Sequence, residues 1–176
     1  MSGSAPSKIE VVEGDITRIA ADAIVNAANG ELRAGGGVCG AIFRAAGAQE
    51  LAAACNAIGG CPTGSAVITP AFGIETAKHI IHAVGPVYAS HAPEEARRLL
   101  RQAYASAIRL GARHGCTSLA FPAISTGIYG YPLEEACREA VDVCAEEGRA
   151  AGVRVLLVAF DAKTAALMRK LVGARA

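Results

Sequence analysis

The chain has 176 residues, of which 52% are hydrophobic and 5% aromatic, with 17 Lys and Arg against 16 Asp and Glu. This length fits one domain with a full hydrophobic core and is too short for two ordinary domains. The formal net charge of +1 lacks the basic excess of a nucleic-acid-binding face, and the longest apolar run, at 155–160, is too short to cross a bilayer.

Alternating apolar patterns predict six strands and four helices. The predicted strands are at 8–13, 23–27, 65–69, 78–84, 117–122 and 153–160, and the predicted helices at 38–58, 93–114, 132–147 and 162–172. Strands that alternate with helices predict an α/β fold, a layered α/β/α domain with a largely parallel sheet. Residues 1–7 lack the apolar stretch of a signal peptide, so we expect a flexible tail there, one domain at 8–176, and a cytoplasmic protein.

The helix at 93–114 has the clearest pattern. Its apolar stripe at helical spacing consists of Ala96, Leu99, Leu100, Ala103, Ala107 and Ile108. Four arginines lie opposite this stripe: Arg97, Arg98, Arg101 and Arg109. Such a cluster can bind phosphate, but we interpret it as a solvated helix face.

The cysteines and histidines show no spacing typical of a metal site. The six cysteines are at positions 39, 55, 61, 116, 137 and 144, without a C-x-x-C pair. Without a secretory signal, disulfides are not expected, and most of these cysteines are predicted to be buried small hydrophobes. His79 and His82 lie three apart in a predicted strand, so their side chains leave opposite faces. We therefore predict no metal.

Two glycine-rich segments follow predicted strands and precede predicted helices, at 26–40 and 122–132. Ligands of such sheets bind beyond the carboxyl ends of the strands. Glycines before a helix let backbone N–H groups approach a phosphate, and the helix dipole favours the anion. Two such segments suit a diphosphate held from both sides, and the alternative is two connectors without a ligand.

Residues 35–40 formally match the G-x-G-x-x-G dinucleotide fingerprint. The preceding strand is predicted to end near Ala27, eight residues before Gly35, whereas a Rossmann turn follows its strand directly. No strand ending in Asp or Glu follows at the distance that a ribose site needs, and no P-loop motif is present. Hydride transfer is therefore only a minor alternative.

Motifs from about residue 9 to residue 172 resemble those of the macrodomains, specifically the MacroD-type branch that binds ADP-ribose and removes it from acylated or protein-linked forms. In chain order they are Gly14-Asp15-Ile16-Thr17, Val25-Asn26-Ala27-Ala28-Asn29, Gly35-Gly36-Gly37-Val38, Cys61-Pro62-Thr63-Gly64, Ile81-His82-Ala83-Val84-Gly85-Pro86 and Ile124-Ser125-Thr126-Gly127-Ile128-Tyr129-Gly130-Tyr131-Pro132. The resemblance implies the three-layer α/β/α macrodomain fold with a mixed, largely parallel central sheet.

The resemblance also implies an adenine site at the ends of the first and last strands. Asp15 is expected to accept a hydrogen bond from the adenine amino group, with the Ile16 backbone beside it. Phe160 matches the aromatic residue over the adenine ring, and its alternative interpretation is an ordinary core aromatic residue.

The diphosphate and the distal ribose are assigned by the same resemblance. The residues whose backbone amides would hold the diphosphate are Gly35, Gly36, Gly37, Val38, Ser125, Thr126, Gly127 and Ile128. Asn26 and Asn29 would face the distal ribose, with Asn29 positioning its hydroxyls, although asparagine also closes turns readily. Tyr129 would flank the distal ribose and the attacking water.

The chain departs from the MacroD-type pattern at the proposed general base. The family usually reads G-G-V-D-G-A-I-H, whereas this chain has Cys39 in place of the Asp and Phe43 in place of the His. Related viral macrodomains with cysteine at this position include hydrolases, and the substrate's own phosphate can activate a water while Asn29 and Tyr129 fix the ribose. A helix N-terminus would favour a nucleophilic Cys39 thiolate, but the adjacent diphosphate opposes the anion and no histidine accompanies it in the motif. We expect a neutral thiol that lines the pocket.

The predicted function is hydrolysis of ADP-ribosyl esters, on mono-ADP-ribosylated Asp or Glu side chains or on O-acetyl-ADP-ribose. The catalytic residues would be Asn29, Tyr129 and Cys39. The alternative is a non-catalytic ADP-ribose reader, which the missing Asp favours, whereas Asn29, Tyr129 and the second glycine-rich segment favour the hydrolase. We expect ADP-ribose and ADP-ribosylated proteins or O-acetyl-ADP-ribose as partners, no DNA, no membrane, no cofactor, and a monomer.

Overall fold

The structure, a computed structural model, describes residues 9–175. The predicted tail at 1–7 and the two ends of the predicted domain, residues 8 and 176, lie outside this range. Within it, no helix is both long and apolar enough to span a bilayer.

All six described strands join one sheet. They are β1 (Ile9–Glu13), β2 (Ala23–Ala28), β3 (Ala66–Pro70), β4 (His79–Val84), β5 (Ser118–Phe121) and β6 (Arg154–Ala159), in the spatial order β1-β6-β5-β2-β4-β3. Five strands run parallel, and only the edge strand β3 is antiparallel, to β4. The predicted mixed, largely parallel sheet is confirmed, and the predicted strand bounds differ by at most one residue at each end.

Five helices cover the sheet on both faces. They are α1 (Gly37–Ala46), α2 (Ala48–Ile58), α3 (Pro93–Arg113), α4 (Leu133–Ala151) and α5 (Ala162–Arg175). One core layer lies between the sheet and α3, α4 and α5, and the other between the sheet and α1 and α2. Central strands are buried on both faces, as near-continuous apolar runs such as β6 predict. This is the three-layer α/β/α arrangement expected from the sequence.

The single helix predicted at 38–58 is wrong, because Gly47 divides it into α1 and α2. Gly47 has φ +105°, a conformation that side chains rarely adopt, and its amide donates to the carbonyl of Phe43 at 3.0 Å to end α1. Pro132 was predicted as the first helical residue of α4. It instead precedes the helix with ψ 130°, outside the helical range.

The predicted solvated face of α3 is confirmed for Arg97, Arg98 and Arg109, whose side chains are 60%, 60% and 62% exposed, but not for Arg101, which is 24% exposed. The apolar stripe is buried as predicted, but three of the four arginines contact carboxylates of α4. Arg97 and Arg101 bind Glu139 at 3.0 and 2.8 Å, and Arg109 binds Glu147 at 2.9 Å. These pairs link two helices, and Arg98 pairs with Glu95 of its own helix at 2.6 Å, so each of the four guanidinium groups has a carboxylate partner.

The six cysteines are all buried and all free, in agreement with their interpretation as small hydrophobes. The thiols of Cys137 and Cys144 have the largest increases in pKa, so they stay protonated and unreactive at neutral pH. Burial raises the pKa of Cys137 to about 11 and that of Cys144 still further. Among residues 9–175, no three His, Cys, Asp or Glu side chains are grouped so that they could hold a metal ion.

Candidate active site

The chain leaves β2 and β5 in opposite directions, and we call the space between the two departing segments the cleft. These neighbouring parallel strands both end at the same edge of the sheet. The chain after β2 leads to α1 on one face, and the chain after β5 leads to α4 on the other. Such a switch point is where open α/β sheets bind ligands. We call residues 29–36 the first loop and residues 122–132 the second loop.

The first loop is held in shape by its own polar groups. Asn29 Nδ2 donates to the carbonyl of Arg33 at 2.9 Å, and the Arg33 amide donates back to Asn29 Oδ1 at 3.0 Å. Leu32 is buried despite its φ of +58°, and the Cys61 amide donates to the carbonyl of Gly30 at 2.9 Å. Asn29 therefore closes a turn, as the sequence allowed. Its carboxamide still has one N–H and one oxygen lone pair for a ligand.

Glycines bring the backbone of the first loop against the start of α1. A Cβ on Gly40 would lie 2.4 Å from the carbonyl oxygen of Gly35, so only glycine permits this contact. Gly37 has φ +57°, and a Cβ on Gly35 or Gly36 would meet nothing within 4 Å. The first N–H groups of a helix have no partner inside it. The amides of Gly37 and Val38 therefore border an open surface that suits an anion.

The second loop presents a matching set of donors. Within residues 9–175, the backbone amides of Gly127, Ile128 and Tyr129 donate to no protein acceptor, and Ile128 is 92% exposed. The Thr126 hydroxyl donates to the carbonyl of Ala123 at 2.8 Å. Consecutive free backbone N–H groups can form the concave donor surfaces that bind phosphates.

Ser125 anchors the second loop in a strained conformation. Its φ is +69°, its Oγ donates to the carbonyl of Pro86 at 2.8 Å, and its own carbonyl accepts from the Tyr131 amide at 2.9 Å. A left-handed residue other than glycine costs of order 1–3 kcal/mol and persists only where its surroundings impose it. These two hydrogen bonds do so here.

Two residues that sequence reasoning missed support the second loop from below. The buried Tyr104 hydroxyl on α3 donates to the carbonyl of Pro122 at 3.2 Å and accepts from the Ile124 amide at 3.0 Å. Gly85, after β4, leaves room for Ser125 and Ile124 because it has no side chain. A Cβ added at this position would lie 2.3 Å from Ser125 Oγ. Gly85 belongs to a motif quoted above, but no pattern pointed to Tyr104.

Asp15, Ile16 and Phe160 lie together at one end of the cleft. The Gly14 amide donates to the carbonyl of Ala159 at 2.9 Å, which joins the ends of β1 and β6. Asp15 caps the turn at Ile16–Arg18 by accepting from the Thr17 hydroxyl and amide, at 2.7 and 2.9 Å. These hydrogen bonds lower the pKa of the Asp15 carboxyl, so it is ionised at neutral pH.

The side chain of Phe160 is 91% exposed. The alternative interpretation of Phe160 as a core aromatic residue is therefore wrong. Beside Asp15, an open groove of about 570 Å³ continues along Ala41 and Arg44 of α1. Its charged lining is mixed in sign, Arg18 and Arg44 against Asp15 and Glu75, so it selects no ligand by charge alone.

Cys39 lies beneath the first loop, close to Asn26 and Tyr129. Its Sγ donates to the carbonyl of Arg33 at 3.6 Å and accepts from Asn26 Nδ2 at 3.7 Å. Burial raises the pKa of Tyr129, and the nearby Cys39 adds to the rise, so the Tyr129 hydroxyl keeps its proton at neutral pH. Asn26 is only 1% exposed and lies below the surface of the cleft rather than on it.

The structure thus brings the predicted residues to one edge of the sheet, with the Asp15 end beside β6 and the Asn29 end beside β4. His82 lies beneath Asn26, and sequence reasoning had treated it only as a residue of a strand. The one sequence feature that could have pointed to His82 was its place in the motif at 81–86, which also contains Gly85.

Known proteins are similar to this chain in both sequence and fold. The model of the Macro domain family matches residues 25–140. An O-acetyl-ADP-ribose deacetylase of Citrobacter rodentium is 47% identical over 171 residues, which cover 94% of this chain and 95% of the relative. The Oceanobacillus iheyensis macrodomain with ADP has a TM-score of 0.90 at 35% identity, and the match covers 98% of this chain and 94% of that one. The Trypanosoma brucei macrodomain in complex with ADP-ribose has a TM-score of 0.84 at 34% identity, with 94% and 69% covered. With its two amide-rich loops at the β2–β5 switch point, this chain belongs to the Macro domain family.

Proposed function

We propose that this protein hydrolyses the ester bond between ADP-ribose and an acyl group. The observation that carries the proposal is the pair of loops whose unbonded backbone amides border one cleft, beside the exposed Phe160 and the ionised Asp15. A diphosphate needs several donors from two sides, and an adenine needs an apolar surface and an acceptor. The Citrobacter rodentium relative, named for O-acetyl-ADP-ribose deacetylation, supports the same reaction.

The ligand would lie along the cleft with its adenine at the β1–β6 end. Asp15 would accept from the adenine amino group, with Ile16 beside it, and Phe160 would cover the ring. The diphosphate would bind the amides at the start of α1 and in the second loop. The distal ribose would then reach Asn29 and Tyr129, beside the first turn of α1.

The reaction adds water across the ester, which releases the acyl group as a carboxylic acid and returns the ribose hydroxyl. Position 39 supplies no carboxylate base, and the Cys39 thiol needs its proton to donate to the Arg33 carbonyl. No histidine contacts Cys39 within the described residues, since Asn26 separates it from His82. We assign activation of the water to a phosphate of the substrate, while Asn29 and Tyr129 hold the ribose.

The acyl group is acetate in O-acetyl-ADP-ribose or the side chain of a modified Asp or Glu. The second candidate function is a reader that binds ADP-ribose without turnover. The observation that favours the reader is the thiol at position 39, where the family has its proposed base. The protein is further proposed to act as a cytoplasmic monomer on ADP-ribosylated proteins, without DNA, a membrane or a cofactor.

A time course separates the two functions. The protein is incubated with O-acetyl-ADP-ribose and, separately, with a glutamate-linked mono-ADP-ribosylated protein, and free ADP-ribose is quantified. Accumulation of ADP-ribose with multiple turnovers supports the hydrolase. Micromolar binding of ADP-ribose, about −8 kcal/mol, with no turnover of either substrate would establish the reader instead.

A pair of variants tests the assigned chemistry. Cys39→Ser should keep most of the activity, because the hydroxyl can replace both hydrogen bonds of the thiol and only the thiol chemistry is lost. Asn29→Ala should reduce kcat more than affinity, because misplacing the ribose affects the reaction more than the binding of the diphosphate. A Cys39→Ser protein that binds ADP-ribose normally but is inactive would contradict activation by the phosphate.

A further inference from the structure

A network of buried, hydrogen-bonded polar groups extends from β3 to the first loop. His82 on β4 contacts Thr69 Oγ1 through Nε2 at 3.0 Å and Asn26 Nδ2 through Nδ1 at 3.1 Å. Asn26 Nδ2 also donates to Cys39 Sγ at 3.7 Å, and Cys39 donates to the carbonyl of Arg33 at 3.6 Å. Four elements of the fold are connected in this way: β3, β4, β2 and the start of α1.

The network ends at the backbone of Arg33, which holds the turn that carries Asn29. The carbonyl of Arg33 accepts from both Cys39 Sγ and Asn29 Nδ2, and the Arg33 amide donates to Asn29 Oδ1. A displacement of Cys39 would therefore move the backbone that fixes the Asn29 carboxamide. Asn29 is the side chain that the proposed function places on the distal ribose.

With the Asn26 amide placed so that Nδ2 faces His82, Nδ1 of the ring accepts, and a neutral imidazole then has its proton on Nε2 to donate to Thr69. Burial lowers the pKa of His82 to about 4, so the ring is neutral at pH 7. The imidazole thus connects Thr69 to Asn26 in one defined direction.

Folding stability alone does not account for these polar groups. Thr69, His82 and Asn26 are buried in the apolar layer between the sheet and α1 and α2. Asn26 Oδ1 has no hydrogen-bond partner among residues 9–175, and a buried group without a partner is destabilising. Apolar side chains would fill the same space more stably. Such a network is expected where it fixes a position that a site needs.

We propose that His82 is a positioning residue for ester hydrolysis, which orients Asn26 and, through Cys39 and the Arg33 backbone, holds Asn29 against the distal ribose. The proposal rests on the proposed function. His82 makes no contact with the substrate itself. Its effect on the reaction passes only through the nitrogen that faces Asn26, which distinguishes it from a residue that merely fills the core.

Two substitutions of His82 separate its two nitrogens. An asparagine amide reaches about as far as Nδ1, so His82→Asn keeps an acceptor toward Asn26 and loses Thr69. A glutamine amide reaches about as far as Nε2, so His82→Gln keeps a contact with Thr69 and loses Asn26. Both variants bury one neutral amide in the same space, so each controls for the other in stability.

The variants are compared in kcat, KM and thermal unfolding. His82→Gln should reduce kcat by about tenfold or more, because small displacements of a positioned group have large effects on rate. His82→Asn should keep kcat within about threefold of the wild type. Equal kcat values in the two folded variants, or losses that follow thermal stability, would overturn the proposal.

A second pair of variants, at Thr69 on β3, provides a test if the His82 variants do not fold. Thr69→Val removes the partner of Nε2 and Thr69→Ser keeps it, but both leave the nitrogen that faces Asn26 in place, so both should keep kcat within about threefold of the wild type. A folded Thr69→Val protein whose kcat falls about tenfold below that of Thr69→Ser would overturn the proposal.

A binding readout keeps this test distinct from that of the proposed function. ADP lacks the distal ribose, so its Kd should be the same in all variants, while His82→Gln should reduce the preference for ADP-ribose over ADP. If the wild type hydrolyses no ester, the proposed function fails, and this ratio still tests the positioning. An unchanged ratio in His82→Gln would refute it.

Discussion

Substituting Gly85 by alanine should displace the second loop without altering a residue that the ligand is expected to contact. The added Cβ would lie 2.3 Å from Ser125 Oγ and 2.5 Å from Ile124 Cγ2. Ordinary van der Waals contact needs about 1 Å more than the shorter of these distances. Both neighbours are buried, and Ser125 is fixed to the carbonyl of Pro86, so the strain passes into the second loop.

The expected cost follows from this contact. Overpacking of a buried site typically destabilises by about 1–3 kcal/mol. Displacing the amides after Ser125 by about 1 Å should also remove at least one hydrogen bond to a charged phosphate, worth about 1.5–3 kcal/mol. Since about 1.4 kcal/mol corresponds to tenfold, Gly85→Ala should weaken ADP-ribose binding by about tenfold or more.

Calorimetric titration with ADP-ribose and thermal unfolding measure the two effects. Gly111→Ala is the control, because its Cβ would press on Leu119 at 3.0 Å and Ile81 at 3.2 Å, in the core beneath α3. Its packing strain is offset by the better helix propensity of alanine, and because the strain lies outside the second loop, the affinity for ADP-ribose should be unchanged. The reasoning is refuted if folded Gly85→Ala binds ADP-ribose as tightly as Gly111→Ala does.

Three further changes test other parts of the site. Tyr104→Phe should lower the free energy of unfolding by about 1–3 kcal/mol, because the Ile124 amide and the Pro122 carbonyl lose their shared hydroxyl; a melting temperature equal to that of the wild type would contradict this. Asp15→Asn should keep the cap of its turn, since both residues cap well, but weaken ADP-ribose binding by about tenfold; an unchanged Kd would exclude the adenine contact. Because the pKa of His82 falls from 6.5 to about 4 on folding, the unfolded chain takes up a proton first as the pH is lowered. The free energy of unfolding should thus be insensitive to this group above pH 6.5 and fall by about 1.4 kcal/mol per pH unit from there toward pH 4, and denaturant titrations should show a flatter dependence for His82→Asn.

Local patterns in the sequence determined the architecture and the location of the site. Strand and helix alternation predicted the three layers, and the apolar stripe of α3 is buried as its spacing required. The glycine-rich segments predicted the two loops. The end of a strand, a turn and the start of a helix follow one another closely along the chain, so this order can be recognised without knowing what packs against it. Asn29, whose partner Arg33 is four residues away, was predicted to face the distal ribose, and turn closure, which the structure shows, was the alternative.

Only the tertiary structure decided which distant side chains meet. His82 is 56 residues from Asn26, and their contact exists because β2 and β4 are neighbours in the sheet with these two residues in register. Tyr104 reaches the second loop because its ring packs against Phe121 at the end of β5, with ring centroids 5.2 Å apart. The arginines of α3 contact carboxylates because α4 lies beside α3. A hydrophobic period places a residue on a face of its own element, but the partner on that face depends on the order of the strands and the packing of the helices. The support beneath the site therefore had to be observed, whereas the loops of the site could be predicted.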